Sequence, residues 1–333
     1  MSVSIREVAE RAGVSVGTVS NVLNHRERVT PESVVRVNAA IAELGYVRND
    51  AARQLRAGRS TTVGLVVLDV RNPFFTELAR GAESEADRRG LSILLANSDE
   101  NVAREARYLD LFEQQRVRGI LISPYQQVGE RLRQMRERGI PAVLVDRRSE
   151  DDLFSSVSVD DERGGYLAVR HLLETGRRRI LFTGGPIDMR QLDDRRRGAR
   201  RAVDEVPGAS LEILPAHASQ VDDGSAAGDE IASRPVAHRP DAVFCANDLV
   251  ALGVLQSLSG HRIEVPRDIA LIGFDDIDFA AAAVVPLSSI RQPARLMGET
   301  ALRILVEEGD DAQKTAEQVV FEPELVVRAS SAR

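Results

Sequence analysis

One short stretch near the N-terminus carries small, uncharged polar side chains at helical spacing. Between Ser15 and Asn24, the apolar residues Val19, Val22 and Leu23 fall on one side of a helix, so the other residues face outward. Hydroxyls and amides of this size can hydrogen-bond base edges or phosphates, and a branched methyl group can contact thymine. The outward residues are Val16, Gly17, Thr18, Ser20, Asn21 and Asn24. The pattern predicts a helix that reads DNA bases; the alternative is a solvent-facing helical hairpin without a ligand.

The segments on either side position that helix. Ser4 and Glu7 have the spacing of a capping box, which marks the start of a first helix that ends at the next glycine. Ser15 can cap the second helix, so the two segments form a helix-turn-helix. A third helix is predicted from the capping Thr30 and the following proline to Leu44. We expect its inner face to comprise Val34, Val35, Asn38, Ile41, Ala42 and Leu44.

Charge is distributed unevenly along the chain. Residues 1–60 contain nine arginines and six acidic side chains, whereas the other 273 residues contain 35 basic and 45 acidic ones. A basic balance favours binding to the phosphate backbone of nucleic acids. The N-terminal part is therefore the predicted nucleic-acid face.

From Thr62 onward, short apolar runs alternate with amphipathic stretches of helical period. This alternation predicts repeated βα units, and strands without polar alternation are typical of a parallel sheet covered on both faces. The length of this part favours two lobes. The predicted strands are 63–68, 91–96, 119–123, 142–146, 179–183, 211–214, 241–245 and 269–273.

Polar and aromatic residues follow several of these strands. In open α/β sheets ligands bind beyond the carboxyl ends of the strands, so these residues are candidates for contacts with a small molecule. Carboxylates and arginine can hydrogen-bond hydroxyls or ring nitrogens, and aromatic rings can stack on an apolar face. The alternatives stay open for single residues, because a strand-terminal aspartate such as Asp248 or Asp276 can be a helix cap and Phe75 can be core. The candidates are Phe74, Phe75, Ser123, Asp146, Arg147, Arg195, Asn247 and Asp275.

The headpiece sequence, Tyr46, Asn49 and the stretch from Ala52 to Leu55 resemble the LacI/GalR family of bacterial transcription regulators, and the resemblance extends over the whole chain. It implies an α/β fold class: an all-α helix-turn-helix headpiece followed by a two-lobed, periplasmic-binding-protein-like (type I) domain with parallel sheets. It also implies that hinge helices from two subunits pair in the minor groove, where Leu55 wedges into a base step. The alternative makes residues 50–60 a linker.

The DNA-binding set predicted in this way is Ser4, Ser15, Val16, Gly17, Thr18, Ser20, Asn21, Asn24, Arg28, Thr30, Tyr46, Asn49, Ala52 and Leu55. By the same resemblance, the strand-end candidates match the family's effector contacts. The family often has an aromatic residue where this chain has Ser219, which weakens the expectation of stacking on that side. An effector that is a sugar or related metabolite is expected, and Arg147 leaves an anionic one open.

The expected organisation is a DNA-binding headpiece at residues 1–48, a hinge at 49–60 and an effector-binding and dimerisation domain at 61–333. Within that domain we expect one lobe from 61–159 and 277–290 and the other from 160–276 and 291–328. The chain then crosses between lobes near Val159-Asp160, Asp276-Ile277 and Ser288–Gln292.

The remaining expectations concern partners and exclusions. A homodimer on a pseudo-palindromic operator is predicted, because one headpiece reads few base pairs, and the sequence has no leucine heptads near its end. No nucleotide-binding loop or nucleophile elbow occurs, and neither Cys245 nor the five histidines have metal-ligand spacing, so neither an enzyme nor a cofactor is expected. A signal peptide and an 18-residue apolar run are lacking, so we expect a cytoplasmic protein that contacts no membrane; the alternative, an exported solute-binding protein, needs no headpiece. Whether the effector promotes or releases DNA binding stays open.

Overall fold

The computed structural model describes residues 3–46, 60–149, 153–186, 189–310 and 314–332. The chain divides into two compact units, residues 1–59 and 60–333. Three of the predicted DNA-binding residues, Asn49, Ala52 and Leu55, lie outside the described residues, as does the predicted hinge up to Arg59. None of the described helices is long and apolar enough to cross a membrane.

The first unit contains three helices: α1 (Ile5–Ala12), α2 (Val16–Asn24) and α3 (Pro31–Leu44). Each begins at a residue whose hydroxyl caps it. Ser4 and Glu7 form the predicted capping box, the Ser15 hydroxyl accepts a hydrogen bond from the Thr18 amide, and Thr30 caps α3. Gly13 adopts the left-handed conformation (φ 64°) that ends α1, which glycine reaches without steric cost.

A small valine- and alanine-rich core joins these helices. It contains Val8, Ala9, Ala12, Val19, Val22, Val34, Val37 and Ala40. The predicted inner face of α3 is wrong in part, because Val35 is 68% exposed and Asn38 and Ala42 also face water. Val37 and Ala40 take their place, since they complete the i, i+3 spacing from Val34 that faces α1 and α2.

The second unit alternates strands and helices. Its strands are β1 (Thr62–Val67), β2 (Ser92–Asn97), β3 (Ile120–Ile122), β4 (Ala142–Val145), β5 (Ser155–Val159), β6 (Arg179–Gly184), β7 (Ser210–Pro215), β8 (Ala242–Cys245), β9 (Ala270–Asp275), β10 (Ser288–Arg291), β11 (Gln318–Phe321) and β12 (Glu324–Val326). Its helices are α4 (Pro73–Arg88), α5 (Val102–Gln114), α6 (Gly129–Glu137), α7 (Asp161–Glu174), α8 (Arg190–Asp204), α9 (Val221–Ser233), α10 (Asp248–Gly260), α11 (Asp278–Ala282) and α12 (Ala294–Asp310).

These strands form two six-stranded sheets. The first has the order β11-β5-β4-β3-β1-β2 and the second the order β12-β10-β9-β8-β6-β7. The recorded pairs are parallel apart from β10 with β12, which is antiparallel. We call the part built on the first sheet the first lobe and the part built on the second sheet the second lobe.

The chain passes between the lobes after β5, between β10 and α12, and between β11 and β12. The predicted crossing at Asp276-Ile277 and the lobe segments drawn from it are therefore wrong: β10 pairs with β9, and α12 belongs to the core of the first lobe. Residues 277–290 lie in the second lobe. The error has a physical cause, because the buried β10 contains Ser288 and Ser289 and lacks the apolar run expected of a central strand.

Glycines let three pairs of helices approach closely. A Cβ at Gly165 of α7 would lie 2.0 Å from the backbone oxygen of Arg195 in α8, and one at Gly198 would lie 1.8 Å from the backbone oxygen of Glu162. The pairs α4–α12 and α9–α10 have reciprocal contacts of the same kind at Gly81, Gly298, Gly224 and Gly253. Close packing of α7 against α8 fixes the position of Arg195.

The substitution Gly165→Ala tests this packing. We expect it to lower the free energy of unfolding of the second unit by about 1–3 kcal/mol, because the added methyl group forces the two helices apart. Gly129→Ala is the matched control, since a Cβ there meets nothing within 4 Å. Chemical denaturation of both variants measures the difference, and equal stability would contradict the packing argument.

Candidate functional site

The outward face of α2 forms the candidate nucleic-acid surface. Val16 is 41% exposed, Gly17 and Asn24 are exposed, and Thr18, Ser20 and Asn21 are half-buried. The Asn24 amide donates to the Ser20 backbone oxygen at 2.8 Å, and the Thr18 and Ser15 hydroxyls lie 2.9 Å apart. The Asn21 side chain, in contrast, has no hydrogen-bond partner in the described part of the headpiece. The side-chain amide of Asn21 can therefore both donate a hydrogen bond to a base edge and accept one from it.

The other predicted DNA contacts in the headpiece have identifiable structural roles. Ser4 and Thr30 cap helices, and Tyr46 packs beside the small core. Arg28 is exposed next to Glu27, with 3.8 Å between Nε and Oε1. Ser4, Arg28 and Thr30 are exposed, so their side chains stay accessible to a DNA phosphate.

A cleft between the two lobes collects residues from the carboxyl ends of four strands. Asp69 and Asn72 follow β1, Asp146 follows β4, Asn247 follows β8 and Asp275 ends β9. In this closed arrangement the cleft encloses a cavity of about 50 Å³, well below the range of about 300–1,000 Å³ typical of small-molecule sites, so the lobes must move apart to admit a ligand of that size. Its other lining residues are Leu68, Phe74, Phe75, Glu100, Met189, Gln191, Leu192, Arg195, Ser219, Gln220, Ala246 and Gln292.

Arg195 anchors the second-lobe side of the cleft. Its Nε donates to Asp161 Oδ1 at 2.8 Å, its Nη1 donates to the Ala246 backbone oxygen at 2.5 Å, and its guanidinium stacks 3.5 Å above the Phe274 ring. The side chain is only 5% exposed. These contacts hold the guanidinium rigidly and leave Nη2 as the donor that can reach a ligand.

Three buried carboxylic acids lie near that arginine. Burial raises the pKa of Asp146 to about 8, and Asp161 and Asp275 add to the shift. Burial likewise raises the pKa of Asp161 to about 6, although Arg195 opposes the shift, and it raises the pKa of Asp275. Asp146 Oδ1 is buried without a hydrogen-bond partner. A ligand that donates a hydrogen bond to this oxygen would relieve an uncompensated polar group.

The backbone is strained at the same place. Asp146, Asp275 and Asp276 have φ values of 60°, 105° and 57°, in the left-handed region that side-chain-bearing residues rarely occupy. Such strain is concentrated at functional sites, where the surrounding structure holds side chains in a required orientation. Asp248 stabilises the segment that follows Asp276. Its buried carboxylate accepts hydrogen bonds from the Ile277 amide at 2.9 Å and from the Ser289 hydroxyl at 2.7 Å.

Hydrogen bonds join the two lobes across the cleft. Asn72 Nδ2 donates to Asp275 Oδ2 at 2.9 Å. Gln191 Nε2 donates to the backbone oxygen of Asp146 at 3.0 Å, and Gln220 Nε2 donates to Asp69 Oδ2 at 2.6 Å. The groups that would hold a ligand therefore bond to one another in this closed arrangement.

Two of the predicted effector contacts lie elsewhere. Ser123 is fully buried at the end of β3 and does not line the cleft. Arg147 lines a separate first-lobe groove and donates to the Gln126 backbone oxygen at 3.1 Å, because the left-handed turn at Asp146 sends the next side chain away from the cleft. The remaining six, Phe74, Phe75, Asp146, Arg195, Asn247 and Asp275, do line it.

The capping role left open for Asp248 is filled by its neighbour Asn247, which caps α10. The Asn247 side-chain oxygen accepts from the Val250 amide at 2.9 Å, and its amide nitrogen donates to the Ser219 backbone oxygen at 3.0 Å. Asp276 is ion-paired with Arg291 and Arg328.

Sequence reasoning missed several polar residues of the cleft. The main ones are the cross-lobe donors Asn72, Gln191 and Gln220, together with Gln292, which donates to Asp275 Oδ1 at 2.7 Å. Glutamines carry little sequence signal, because most lie at exposed positions without a specific role. Ser219, at the position where the family often has an aromatic residue, is buried and donates to the Gly185 backbone oxygen at 2.5 Å.

The raised pKa of Asp146 predicts a dependence of stability on pH. A carboxyl group with a higher pKa in the folded than in the unfolded state binds more protons when folded, so stability falls as the pH rises from about 4 to about 8. We expect Asp146→Asn to raise the free energy of unfolding at pH 8 by about 1–3 kcal/mol and to reduce this slope. Asparagine also tolerates the positive φ.

Thermal unfolding between pH 5 and pH 8 measures that effect. The exposed Asp204→Asn is the control, since it removes a carboxylate of the second lobe that does not line the cleft. An Asp146→Asn variant that is no more stable than the wild type at pH 8 would contradict the assignment.

Both units match models of known protein families. Residues 4–49 match the family model described as "Bacterial regulatory proteins, lacI family", and residues 169–331 match the model of a "Periplasmic binding protein-like domain". The HTH-type transcriptional repressor PurR of Vibrio atlanticus (strain LGP32) is 35% identical over 332 residues, covering 98% of both chains. The HTH-type transcriptional regulator RegA of Clostridium saccharobutylicum is 32% identical over 335 residues, covering 99% of this chain and all of its own.

Solved structures agree with these relatives. A transcriptional regulator CelR–cellobiose complex superimposes with a TM-score of 0.72 at 33% identity, covering 98% of this chain and 99% of its own. The lac repressor dimer bound to operator and the anti-inducer ONPF superimposes with a TM-score of 0.83 at 25% identity over the full length of both chains. The chain thus belongs to the LacI family and is a DNA-binding transcription regulator with an effector-binding domain.

Proposed function

We propose that the chain is a dimeric repressor that binds a pseudo-palindromic operator, and that a sugar or related metabolite in the interlobe cleft controls its affinity for DNA. It acts by binding alone, without catalysis, and works where the chromosome is, in the cytoplasm. The observation that carries the proposal is the closed cleft around Arg195, Asp146 and Asp275, which combines rigid donors, acceptors and two aromatic rings.

The cleft chemistry suits a polyhydroxylated ligand. Arg195 Nη2 offers a donor, and Asp146 Oδ1 offers an unpaired acceptor. Phe74 and Phe75 belong to the first-lobe core, are 4% and 6% exposed, and form an edge-to-face ring pair in the cleft wall with 5.0 Å between centroids. Sugars have hydroxyls around their edges and an apolar ring face, which matches such a set. Two similar structures are complexes with cellobiose and with ribose, which supports the same class of ligand.

The proposed dimer follows from the small DNA surface that one headpiece can read. One headpiece has a single groove-reading helix and a core of eight small buried residues, so one copy reads only a few base pairs. Two copies related by a twofold axis would read two half-sites about one helical turn apart. One of the similar structures is likewise a dimer bound to operator.

The proposed wedge at Leu55 rests on the sequence and stays a prediction. We expect Leu55→Ala to weaken specific operator binding by about 1–3 kcal/mol, because an apolar wedge compensates for the cost of kinking the duplex. Gel-shift titration on the preferred operator, with sedimentation to confirm an unchanged dimer, measures the effect. Unchanged operator affinity would remove Leu55 from the binding mechanism.

The whole proposal is tested by selecting binding sites from random duplexes with the purified full-length chain, in the absence and presence of a sugar panel. We expect an enriched palindrome whose recovery changes with at least one sugar, in a direction that the experiment itself determines. Enrichment of a site without dyad symmetry, or no dependence on any sugar, would contradict it.

A further inference from the structure

The charges that line the cleft are unbalanced. Four lining residues are acidic, namely Asp69, Glu100, Asp146 and Asp275, whereas Arg195 is the one basic residue of the lining. The Arg195 charge is already matched by Asp161 behind it. Arg147, the residue that left an anionic effector open, does not line the cleft. Burial raises the pKa of Asp146 to about 8 and that of Glu100 to about 7, because no cation compensates either carboxylate fully. The lining therefore favours a ligand that donates hydrogen bonds or carries a positive charge.

One end of the cleft is more acidic than the rest. Asp69 and Glu100 of the first lobe line it, and Asp223 of the second lobe lies close enough to act on the Glu100 charge. Arg71 donates to both oxygens of Asp69 at 2.9 and 3.0 Å and lies 3.1 Å from Asp99. Its guanidinium is 61% exposed, and its charge opposes the raised pKa of Glu100 only in part. We call Asp69 and Glu100 the acidic end.

The Glu100 carboxylate has no hydrogen-bond or ion-pair partner among the residues that the structure describes. Asp69, by contrast, already accepts from Gln220 and Arg71. A second, independent acceptor is also unpaired, since Asp146 is 5% exposed and its Oδ1 has no partner. The cleft thus presents two unused acidic acceptors to whatever fills it.

We propose that the effector is a polyhydroxylated amine, an amino sugar in its simplest form, whose ammonium group binds at the acidic end beside Glu100 while its hydroxyls bond to Asp146, Arg195 and Asp275. Sugar phosphates and sugar acids are expected to bind more weakly than the amine, because Arg195, the one basic residue of the lining, is already paired with Asp161. The inference rests on the proposed function, because it specifies the ligand of the same cleft. Burial and Asp69 raise the pKa of Glu100 to about 7, so a cation beside it relieves an unfavourable carboxylate.

Isothermal titration calorimetry on the full-length chain tests this with matched probes. The panel contains glucose, galactose and mannose, the 2-amino derivative of each and the 6-phosphate of each. We expect at least one amine to bind about tenfold more tightly than its parent sugar, because a close charge pair is added, and we expect the phosphates to bind more weakly than that amine.

The substitution Glu100→Gln assigns the preference to the acidic end. It should lower the affinity for that amine about tenfold and the affinity for the parent sugar less than about threefold. Glu137→Gln, an exposed position of the first lobe, is the control and should preserve the preference.

A phosphate that binds more tightly than the amine and the parent sugar would overturn the inference, and so would an amine preference that survives Glu100→Gln. Tight binding of neutral sugars alone would overturn the inference and leave the proposed function intact. Absence of binding by every sugar, with operator binding retained, would overturn the effector class itself.

Discussion

The variant Arg195→Met will lose the response to effector and will be less stable than the wild type. In the proposed function Arg195 donates to the ligand, so we expect sugar affinity to fall at least about a hundredfold, as when a buried hydrogen-bonding charge is removed. The loss also leaves Asp161 buried without its partner 2.8 Å away, which costs about 3–5 kcal/mol of stability. Calorimetry and denaturation measure the two effects separately.

A double variant separates ligand binding from folding. In Arg195→Met/Asp161→Asn both charges are gone, so most of the stability should return, since the cost comes from the unpaired carboxylate. Sugar binding should stay lost. A stable double variant that binds the sugar like the wild type would show that Arg195 only supports the fold.

The second large effect is expected at Asn21. Its amide has no partner in the described headpiece, and an asparagine at such a position can form two hydrogen bonds with an adenine edge. We expect Asn21→Ala to weaken binding to the preferred operator by about 1–3 kcal/mol and to relax base preference at one position of each half-site. Binding to random DNA should change little, because phosphate contacts dominate it.

Asn38→Ala is the matched control for that experiment, since Asn38 is exposed on α3, outside α2. Fluorescence anisotropy with operator and scrambled duplexes measures both variants at one fixed salt concentration. If Asn21→Ala weakens binding to the two duplexes equally, Asn21 contacts the backbone and not a base.

Much of the architecture could be predicted from residue patterns because local chemistry determines it. The caps at Ser4, Ser15 and Thr30 and the apolar runs of eight strands lie where the structure has them. The strands that escaped prediction, such as β10 and β11, contain buried serines or half-exposed residues. Tertiary hydrogen bonds stabilise them: Ser288 bonds to Ser330, more than 40 positions later in the chain. No local pattern contains that information.

Part of the candidate site could also be predicted from the sequence. Strand ends predicted Asp146, Asn247 and Asp275, because parallel strands bring their carboxyl ends to one edge. Arg195 lies within α8, and the family resemblance pointed to it. The direction of a side chain was not predictable, and the positive φ of Asp146 turns Arg147 away from the cleft. Pairs across the lobes, such as Asn72 with Asp275, join positions 203 residues apart and required the fold itself.

The central claim is that occupation of the interlobe cleft changes the affinity of the chain for DNA. The most direct test measures operator affinity by fluorescence anisotropy across a titration with a sugar that calorimetry shows to bind. The account predicts a change of about 5- to 150-fold, with the same factor in sugar affinity when operator is present, because coupling between two sites is reciprocal. A sugar that saturates the cleft while operator affinity stays constant would contradict it.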